Sequence, residues 1–345
     1  MVKTIRIGSD FSGLDTSVVG LRKVCKDLPG IKVVHTHSCD NNKVCKKIIL
    51  HNSPPCKFFD DVLNRDIASV PTCDVYCFTA PCQAFSTAGK GLGVQDPRGA
   101  VIFAALSFIE AKKPKAILSE NVPAFATRHK DAMQFLIKNI EEYGYHVWWK
   151  ILCTEDYGIP QARKRWYMMA VKKSCCRTRM MGVSTWPTPL GYGIPLQEIV
   201  TPVLPSGWRA LPEHEPARTT VKNAYEKVVI KGCNPFVTPV VVDIGASPGW
   251  QTHAIAKCPT LTRSRTQSFG YWVSTKGGPL TIKEVGRLQG FDDGDIDWEG
   301  AGVSVKQYAG CLGNAQSLNV VCEVLPHLLF MAQLVNKKEF MSMTR

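Results

Sequence analysis

Along the first half of the chain, short apolar runs alternate with longer stretches of helical spacing. Residues 4–13 (TIRIGSDFSG) read as a strand ending in a polar turn with a glycine. A helix is expected from Thr16 to about Asp27, with Val18, Val19, Leu21 and Val24 on its apolar positions. A second strand, 31–37, ends at Ser38-Cys39-Asp40, and a helix carrying Val44, Ile48 and Ile49 follows. Phe58 to Val62 leads into or out of a third strand. Residues 74–79 form a fourth, broken by Pro81-Cys82-Gln83. Residues 99–112 have helical apolar spacing, 116–118 read as a strand meeting Ser119-Glu120-Asn121-Val122, and 131–143 as an amphipathic helix. Two further strands cover 146–152 and 165–171. Strands alternating with helices predict an α/β fold, a doubly wound, mostly parallel sheet with helices on both faces.

The pattern changes after Lys173. From there to about Lys276 the sequence is rich in Pro, Gly, Thr and short apolar pieces, which predicts an irregular, β-rich module without a long helix. Helical spacing returns after Pro279, and residues 305–335 close with a Gly-Asn turn and a helix. The expected domains are 1–172 with 305–345 for the catalytic part and 173–304 for a smaller β-rich part.

Composition narrows the class. No apolar run reaches the roughly 18 residues of a membrane span, and the N-terminus enters strand-like sequence directly, so neither membrane insertion nor a cleaved leader is expected. Fourteen scattered cysteines without a secretion signal point to reduced thiols, and their spacing does not pair into zinc-binding CxxC motifs. The formal charge of +13 favours a polyanionic partner without saying which one.

Ligands of open parallel sheets bind outside the carboxyl ends of the strands. Four such ends carry polar or reactive groups: Asp10-Phe11-Ser12-Gly13, Asp40, Pro81-Cys82-Gln83 and Glu120-Asn121. Cys82 is placed as a nucleophile on a turn, although cysteine also serves as a small buried hydrophobe. Asp10 and Asp40 are either cofactor acids or helix N-caps, Phe11 a cofactor contact or plain core, and Glu120 a general acid or a surface carboxylate. Neither a full GxGxxG nor a GxxxxGK[ST] loop is present, which leaves an adenosine-containing cofactor without a strong phosphate grip. Gln161-Ala162-Arg163-Lys164-Arg165 is dense in donors, either a solvated basic turn or a clamp for a base or anion.

Taken together and in order, these segments resemble the C5-cytosine methyltransferase family, which uses S-adenosylmethionine. Asp10-Phe11-Ser12-Gly13 resembles its cofactor turn, and Asp40 and Asp61 its ribose and adenine acids. APCQAFSTAGKG, with Asp96-Pro97-Arg98-Gly99, resembles its nucleophile loop. Glu120-Asn121-Val122 is similar to its ENV tripeptide, DYGIPQARKRWYMMAV to its QxRxR segment, and PTLTRS from Pro259 to the Thr-Leu element of its target-recognition domain. PLTIKEVGRLQGF and Leu312-Gly313-Asn314 match its last two blocks. The resemblance covers nearly the whole chain outside 173–255. Three departures are visible: Leu14-Asp15 stand where the family continues with glycines, Asn41 replaces an aromatic after the acid of strand two, and Gln316-Ser317 follow Gly313-Asn314-Ala315 where the family often has Val-Pro.

The resemblance implies a Rossmann-like methyltransferase with a target-recognition domain at 173–304. Cys82 is then the nucleophile, with Glu120, Asn121, Arg163 and Arg165 as its catalytic partners. Asp10, Phe11, Ser12, Gly13, Asp40, Asp61, Pro81 and Asn314 bind the cofactor, and Gln83, Ser86, Gln161, Thr260 and Leu261 bind the substrate. Lys90, Arg98, Arg263 and Arg265 are candidate phosphate contacts. Double-stranded DNA is the implied partner, because Gln83-Ala84-Phe85-Ser86 looks like the DNA-acting members. A tRNA cytosine is the alternative. A non-catalytic binding homologue, or an unrelated redox enzyme using Cys77 and Cys82, accounts for less of the motif set. A monomer is expected, without metal or membrane, in the nucleus of a eukaryote or the cytoplasm of a bacterium and not secreted.

Overall fold

The computed structural model describes residues 2–80, 97–177, 182–201, 209–246 and 253–344, with backbone alone for 97–99. Cys82 and its neighbours Pro81, Gln83, Ser86 and Lys90 lie outside the described residues. The chain divides into two compact units. The first comprises Met1–Leu152, Lys164–Thr188 and Val320–Arg345, the second Cys153–Arg163 and Pro189–Asn319. These boundaries differ from the expected ones: 153–163 and 305–319 belong to the second unit, and 173–188 to the first.

The first unit is built on a seven-stranded sheet. Its strands are β1 (Lys3–Asp10), β2 (Ile31–Cys39), β3 (Lys57–Phe59), β4 (Val75–Phe78), β5 (Ala116–Asn121) and β6 (Tyr145–Cys153). The two-residue β7 (Gln161–Ala162) belongs to the second unit, and β8 (Lys164–Lys172) returns to the first sheet. The order is β3-β2-β1-β4-β5-β8-β6, parallel from β3 to β5 and antiparallel between β5 and β8. Every residue of β4 and β5 is buried, as expected where helices cover both faces of a parallel sheet. Register sets the rim: Asp10 stands opposite Cys39 on one side and Phe78 on the other, and Phe78 opposite Ser119. The carboxyl ends of β1, β2, β4 and β5 therefore fall in one row.

Helices α1 (Thr16–Cys25), α2 (Lys43–Asn52), α3 (Pro97–Lys112) and α4 (Lys130–Glu142) lie close to their expected ranges. In α4 the buried residues Ala132, Met133, Leu136 and Ile140 recur at helical spacing and join a core with Tyr76, Phe78, Phe108 and Trp166. Burying each of the larger side chains contributes roughly 1.5–3 kcal/mol.

The second unit holds a four-stranded antiparallel sheet, β9 (Val240–Asp243), β10 (His253–Ile255), β12 (Tyr271–Val273) and β13 (Gly278–Pro279), in the order β10-β9-β12-β13. A separate pair joins β11 (Cys258–Pro259) to β7. The expectation of no long helix here is overturned: α5 (Ala217–Ile230) runs for 14 residues. Its buried Val221, Ala224, Tyr225 and Val228 pack on Val240, Val242 and Trp272, and the Trp272 indole donates to Tyr225 Oη at 3.1 Å. Six of its residues are β-branched, which lowers helix propensity and hides the helix in the sequence; the packed face outweighs that cost. α6 (Ile282–Leu288) follows. Next, α7 (Val305–Asn314) runs through Leu312-Gly313-Asn314, which is a helix end rather than the expected turn. α8 (Leu318–Met331) and α9 (Lys337–Met343) close the chain.

Candidate active site

At the end of β1 the backbone turns through two left-handed residues, Phe11 (φ 56°) and Gly13 (φ 58°). A side chain on Gly13 would meet none of the described residues within 4 Å, and at φ 58° the requirement there is conformational. Ser12 ties the turn to β2: its amide donates to the Cys39 carbonyl at 3.1 Å, and its hydroxyl accepts from the Cys39 amide at 3.1 Å. Asp40 completes the turn, accepting from the Gly13 amide on Oδ2 and from the Asn42 amide on Oδ1, each at 2.8 Å. Burial raises the Asp40 carboxyl above its ordinary value, against the pull of those two amides. Asp61 similarly accepts from the Leu63 amide at 2.9 Å and from Asn64 Nδ2 at 2.6 Å. Phe11 is half-buried against the core.

Asp15 explains the missing glycine. It is left-handed (φ 52°), a conformation aspartate tolerates, and its buried carboxylate is held from inside. Ser9 donates to Oδ1, and Ser38 Oγ stands 2.7 Å from both Oδ2 and His35 Nε2. Burial raises the Asp15 carboxyl, with nearby His35 acting in the opposite direction.

Asp10 departs from its expected cofactor role. Both of its oxygens accept from the Arg65 guanidinium, and Oδ2 also accepts from Tyr76 Oη at 2.5 Å. With Asp10 fully buried, this carboxylate is committed within the protein. Arg65 had no signal in the sequence beyond the need of a buried acid for a counter-charge.

At the end of β5, Glu120 and Arg165 face each other on antiparallel strands, Arg165 Nε lying 3.1 Å from Glu120 Oε1. Their side chains are only 9% and 13% exposed, so the pair is largely withdrawn from bulk water. Asn121 donates through Nδ2 to the Ala80 carbonyl at 3.0 Å and accepts the Val122 amide on Oδ1. Ala80 immediately precedes Pro81-Cys82, so Asn121 fixes the base of the segment that carries the cysteine. Among neighbouring thiols, burial pushes Cys77 up to about 12, which leaves it an inert core thiol and removes its proposed redox role.

The remaining expected site residues lie in the second unit and mostly serve as scaffold. The Arg163 guanidinium, 2% exposed, donates to the carbonyls of Leu261 (2.7 Å), Ala315 (2.6 Å) and Gly313 (3.4 Å), not to an open cleft. Gln161, also buried, donates to the Leu288 carbonyl at 2.6 Å and accepts from the Leu261 amide at 3.2 Å. Thr260 donates to the Ala162 carbonyl at 2.7 Å, and Leu261 is core. The acceptors include Leu288 and Gly313, in the last turns of α6 and α7, and Ala315, just beyond α7, where helix carbonyls have no partner within the helix, and side-chain donors satisfy them instead. Arg265 pairs with Asp243 at 2.9 Å, whereas Arg263 and Asn314 are exposed.

The first-unit turn fits an adenosyl cofactor such as S-adenosylmethionine. Among the described residues nothing fills the space beside Gly13, Phe11 is a half-buried aromatic in the same turn, and Asp40 and Asp61 keep lone pairs for hydroxyl or amine donors. The fold is shared with solved methyltransferases. The Entamoeba histolytica methyltransferase EhMeth aligns with a TM-score of 0.66 at 18% identity, over 97% of this chain and 100% of that one. The S. pombe Dnmt2 methyltransferase aligns with a TM-score of 0.63 at 16% identity, over 94% and 98%. Among curated relatives, the Type II methyltransferase M.NlaIV of Neisseria lactamica is 34% identical over 173 residues, 48% of this chain but 40% of that protein's length. The Type II methyltransferase M.NgoBI of Neisseria gonorrhoeae is 29% identical over 270 residues, 77% of each. Residues 5–329 match the C-5 cytosine-specific DNA methylase family, and the chain belongs to it.

Proposed function

We propose that the protein is an S-adenosylmethionine-dependent DNA (cytosine-5-)-methyltransferase that works through a covalent Cys82–C6 adduct. The observation that carries this reading is the rim of the first unit, where the Glu120–Arg165 pair sits beside an asparagine that anchors the residue next to Pro81-Cys82. C5 of cytosine is too weak a nucleophile to accept a methyl group unaided. The Cys82 thiolate adds to C6, forming the S–C bond while the C5–C6 π pair moves toward C5. Glu120 holds a proton at N3, which offsets the charge gained by the ring. Arg165 orients Glu120 and reaches the base, and Asn121 fixes the loop. When bound, S-adenosylmethionine supplies the electrophilic methyl group for C5, held by Phe11, Ser12, Gly13, Asp40 and Asp61. A base then removes the C5 proton, the electron pair restores C5–C6, and Cys82 leaves as thiolate. Reaching C6 requires the cytosine to leave the helix, at a cost of a few kcal/mol. The names of the Type II relatives and the net positive charge support a duplex DNA substrate. We assign sequence reading to the second unit.

The test is covalent trapping on a duplex containing 5-fluorocytosine, whose fluorine blocks the final elimination. Cofactor-dependent capture by the wild type, lost in Cys82→Ser, is the expected result. Capture on a tRNA but not on duplex DNA moves the substrate to RNA, and capture that survives Cys82→Ser overturns the assigned nucleophile.

A further inference from the structure

The buried pair Asp10–Arg65 joins two loops of the first unit that are distant in sequence. Asp10 ends β1 and immediately precedes the turn Phe11-Ser12-Gly13. Its carbonyl accepts the Thr79 amide at 3.3 Å, and Thr79 Oγ1 donates to the Phe11 carbonyl at 2.8 Å. Arg65 lies at the far end of the short turn that Asp61 caps. Its side chain is 1% exposed, and its guanidinium lies over the rings of Phe59 (5.6 Å) and Phe108 (5.7 Å). Phe59 in turn accepts the Asp40 amide on its carbonyl at 3.2 Å. A fork of two hydrogen bonds to one carboxylate, with Tyr76 supplying a third, therefore fixes the spacing between the turn, Asp61 and the end of β2.

Stability alone is a poor reason for this arrangement. Desolvating two ions costs several kcal/mol each, and an apolar pair of similar volume is commonly as stable or more so. Among the described residues the buried Arg65 Nε has no hydrogen-bond partner, a further cost of the arrangement. What the pair supplies is geometry, because a planar fork fixes both distance and orientation where an ammonium or an apolar contact does not.

We propose that Arg65 is a positioning residue for the cofactor, setting the loop of Asp61 against the turn at Phe11–Gly13 through Asp10. This rests on the reading of that turn as the S-adenosylmethionine site. Asp10 is then the counter-charge of Arg65 and touches no cofactor atom.

The experiment measures S-adenosylhomocysteine binding by calorimetry on the full chain, with melting temperature in parallel. Two variants are compared with the wild type: Arg65→Lys, which keeps the charge and loses the fork, and the paired Asp10→Asn/Arg65→Met, which removes both charges. Arg65→Lys is expected to raise the dissociation constant about tenfold or more. The paired variant is expected to melt within a few degrees of wild type and still bind at least about tenfold more weakly. If Arg65→Lys does not fold, the paired variant carries the test. A purely structural role predicts that the paired variant recovers wild-type affinity along with its melting temperature, and that result overturns the proposal. Wild-type affinity in Arg65→Lys overturns it equally and leaves the cofactor site standing. A wild type that binds no S-adenosylhomocysteine removes the cofactor site itself, and this inference with it.

Discussion

The polar rim of the first unit and the polar hub of the second use the same side-chain types and send their hydrogen bonds to different places. At the rim, Glu120 and Arg165 meet each other across antiparallel strands, and Asp40 and Asp61 accept short-range amides while keeping open lone pairs. At the hub, Arg163 and Gln161 deliver their donors to the carbonyls of Leu261, Gly313, Ala315 and Leu288, all of them backbone. Gln289 does the same for Leu312 at 2.5 Å. Two arginines only two positions apart in one donor-rich segment thus do different work. Membership of a motif does not separate chemistry from scaffold; the destination of each hydrogen bond does.

The sharpest way to break this contrast is to remove the rim pair. Glu120→Gln and Arg165→Met are each expected to slow methyl transfer by about 100-fold or more in single-turnover assays. A variant that keeps wild-type turnover shows the rim to be scaffold as well.

Arg163→Met should behave in the opposite sense. Stripping charge-assisted donors from three carbonyls should cost about 2–4 kcal/mol, read as a lower urea midpoint with unchanged slope. If Arg163→Met unfolds at the wild-type midpoint, the hub loses its structural reading.

The smallest expected effect is on pH dependence beneath the rim. Burial, reinforced by Arg65 and His35, lowers His37 to about 3, so in the folded chain it stays neutral where the unfolded chain takes up a proton. Its contribution to stability is therefore complete above pH 6.5 and lost as pH falls from there toward 3, at a slope of at most about 1.4 kcal/mol per pH unit. Urea unfolding at pH 7 and pH 5 measures it, and His37→Gln should flatten the difference. An unchanged slope in that variant assigns the acid sensitivity elsewhere.

Much of the first unit was legible because its apolar strands lead into polar positions at Asp10, Asp40, Thr79 and Asn121 and the helices carry clean apolar stripes, as in α4. Glu120, Asn121 and Arg165 were legible by their place after apolar runs. Other features resisted for physical reasons. Thr219, Thr220, Val221 and the run Val228-Val229-Ile230 give α5 a strand-like composition, and only its packing against Val240, Val242 and Trp272 decides the matter. Gly313 suggests a turn, yet it lies in α7 and is glycine because a Cβ there would meet the Arg263 amide nitrogen at 2.6 Å. Asp10 sits where a cofactor acid is expected, and Arg65, some fifty residues away in sequence, gives no local sign that it claims that carboxylate. Periodicity reports faces, whereas long-range pairing of single charges has no period to report.

The C-terminal helices α8 and α9 have a consequence for how the chain is made. Leu325, Leu328, Leu329 and Phe330 are fully buried, Arg177 donates to the carbonyls of Phe330 (3.0 Å) and Val335 (3.2 Å), and Lys3 pairs with Glu339 at 3.5 Å. Lys3 and Glu339, which meet in one unit, stand 336 positions apart, so their synthesis is separated by on the order of tens of seconds at ordinary ribosomal speeds. Through that interval the nascent sheet is without the layer that completes it, while the intervening second unit emerges in full. Order of synthesis and order of assembly are decoupled, and the closing layer of the first unit is made only after the second unit.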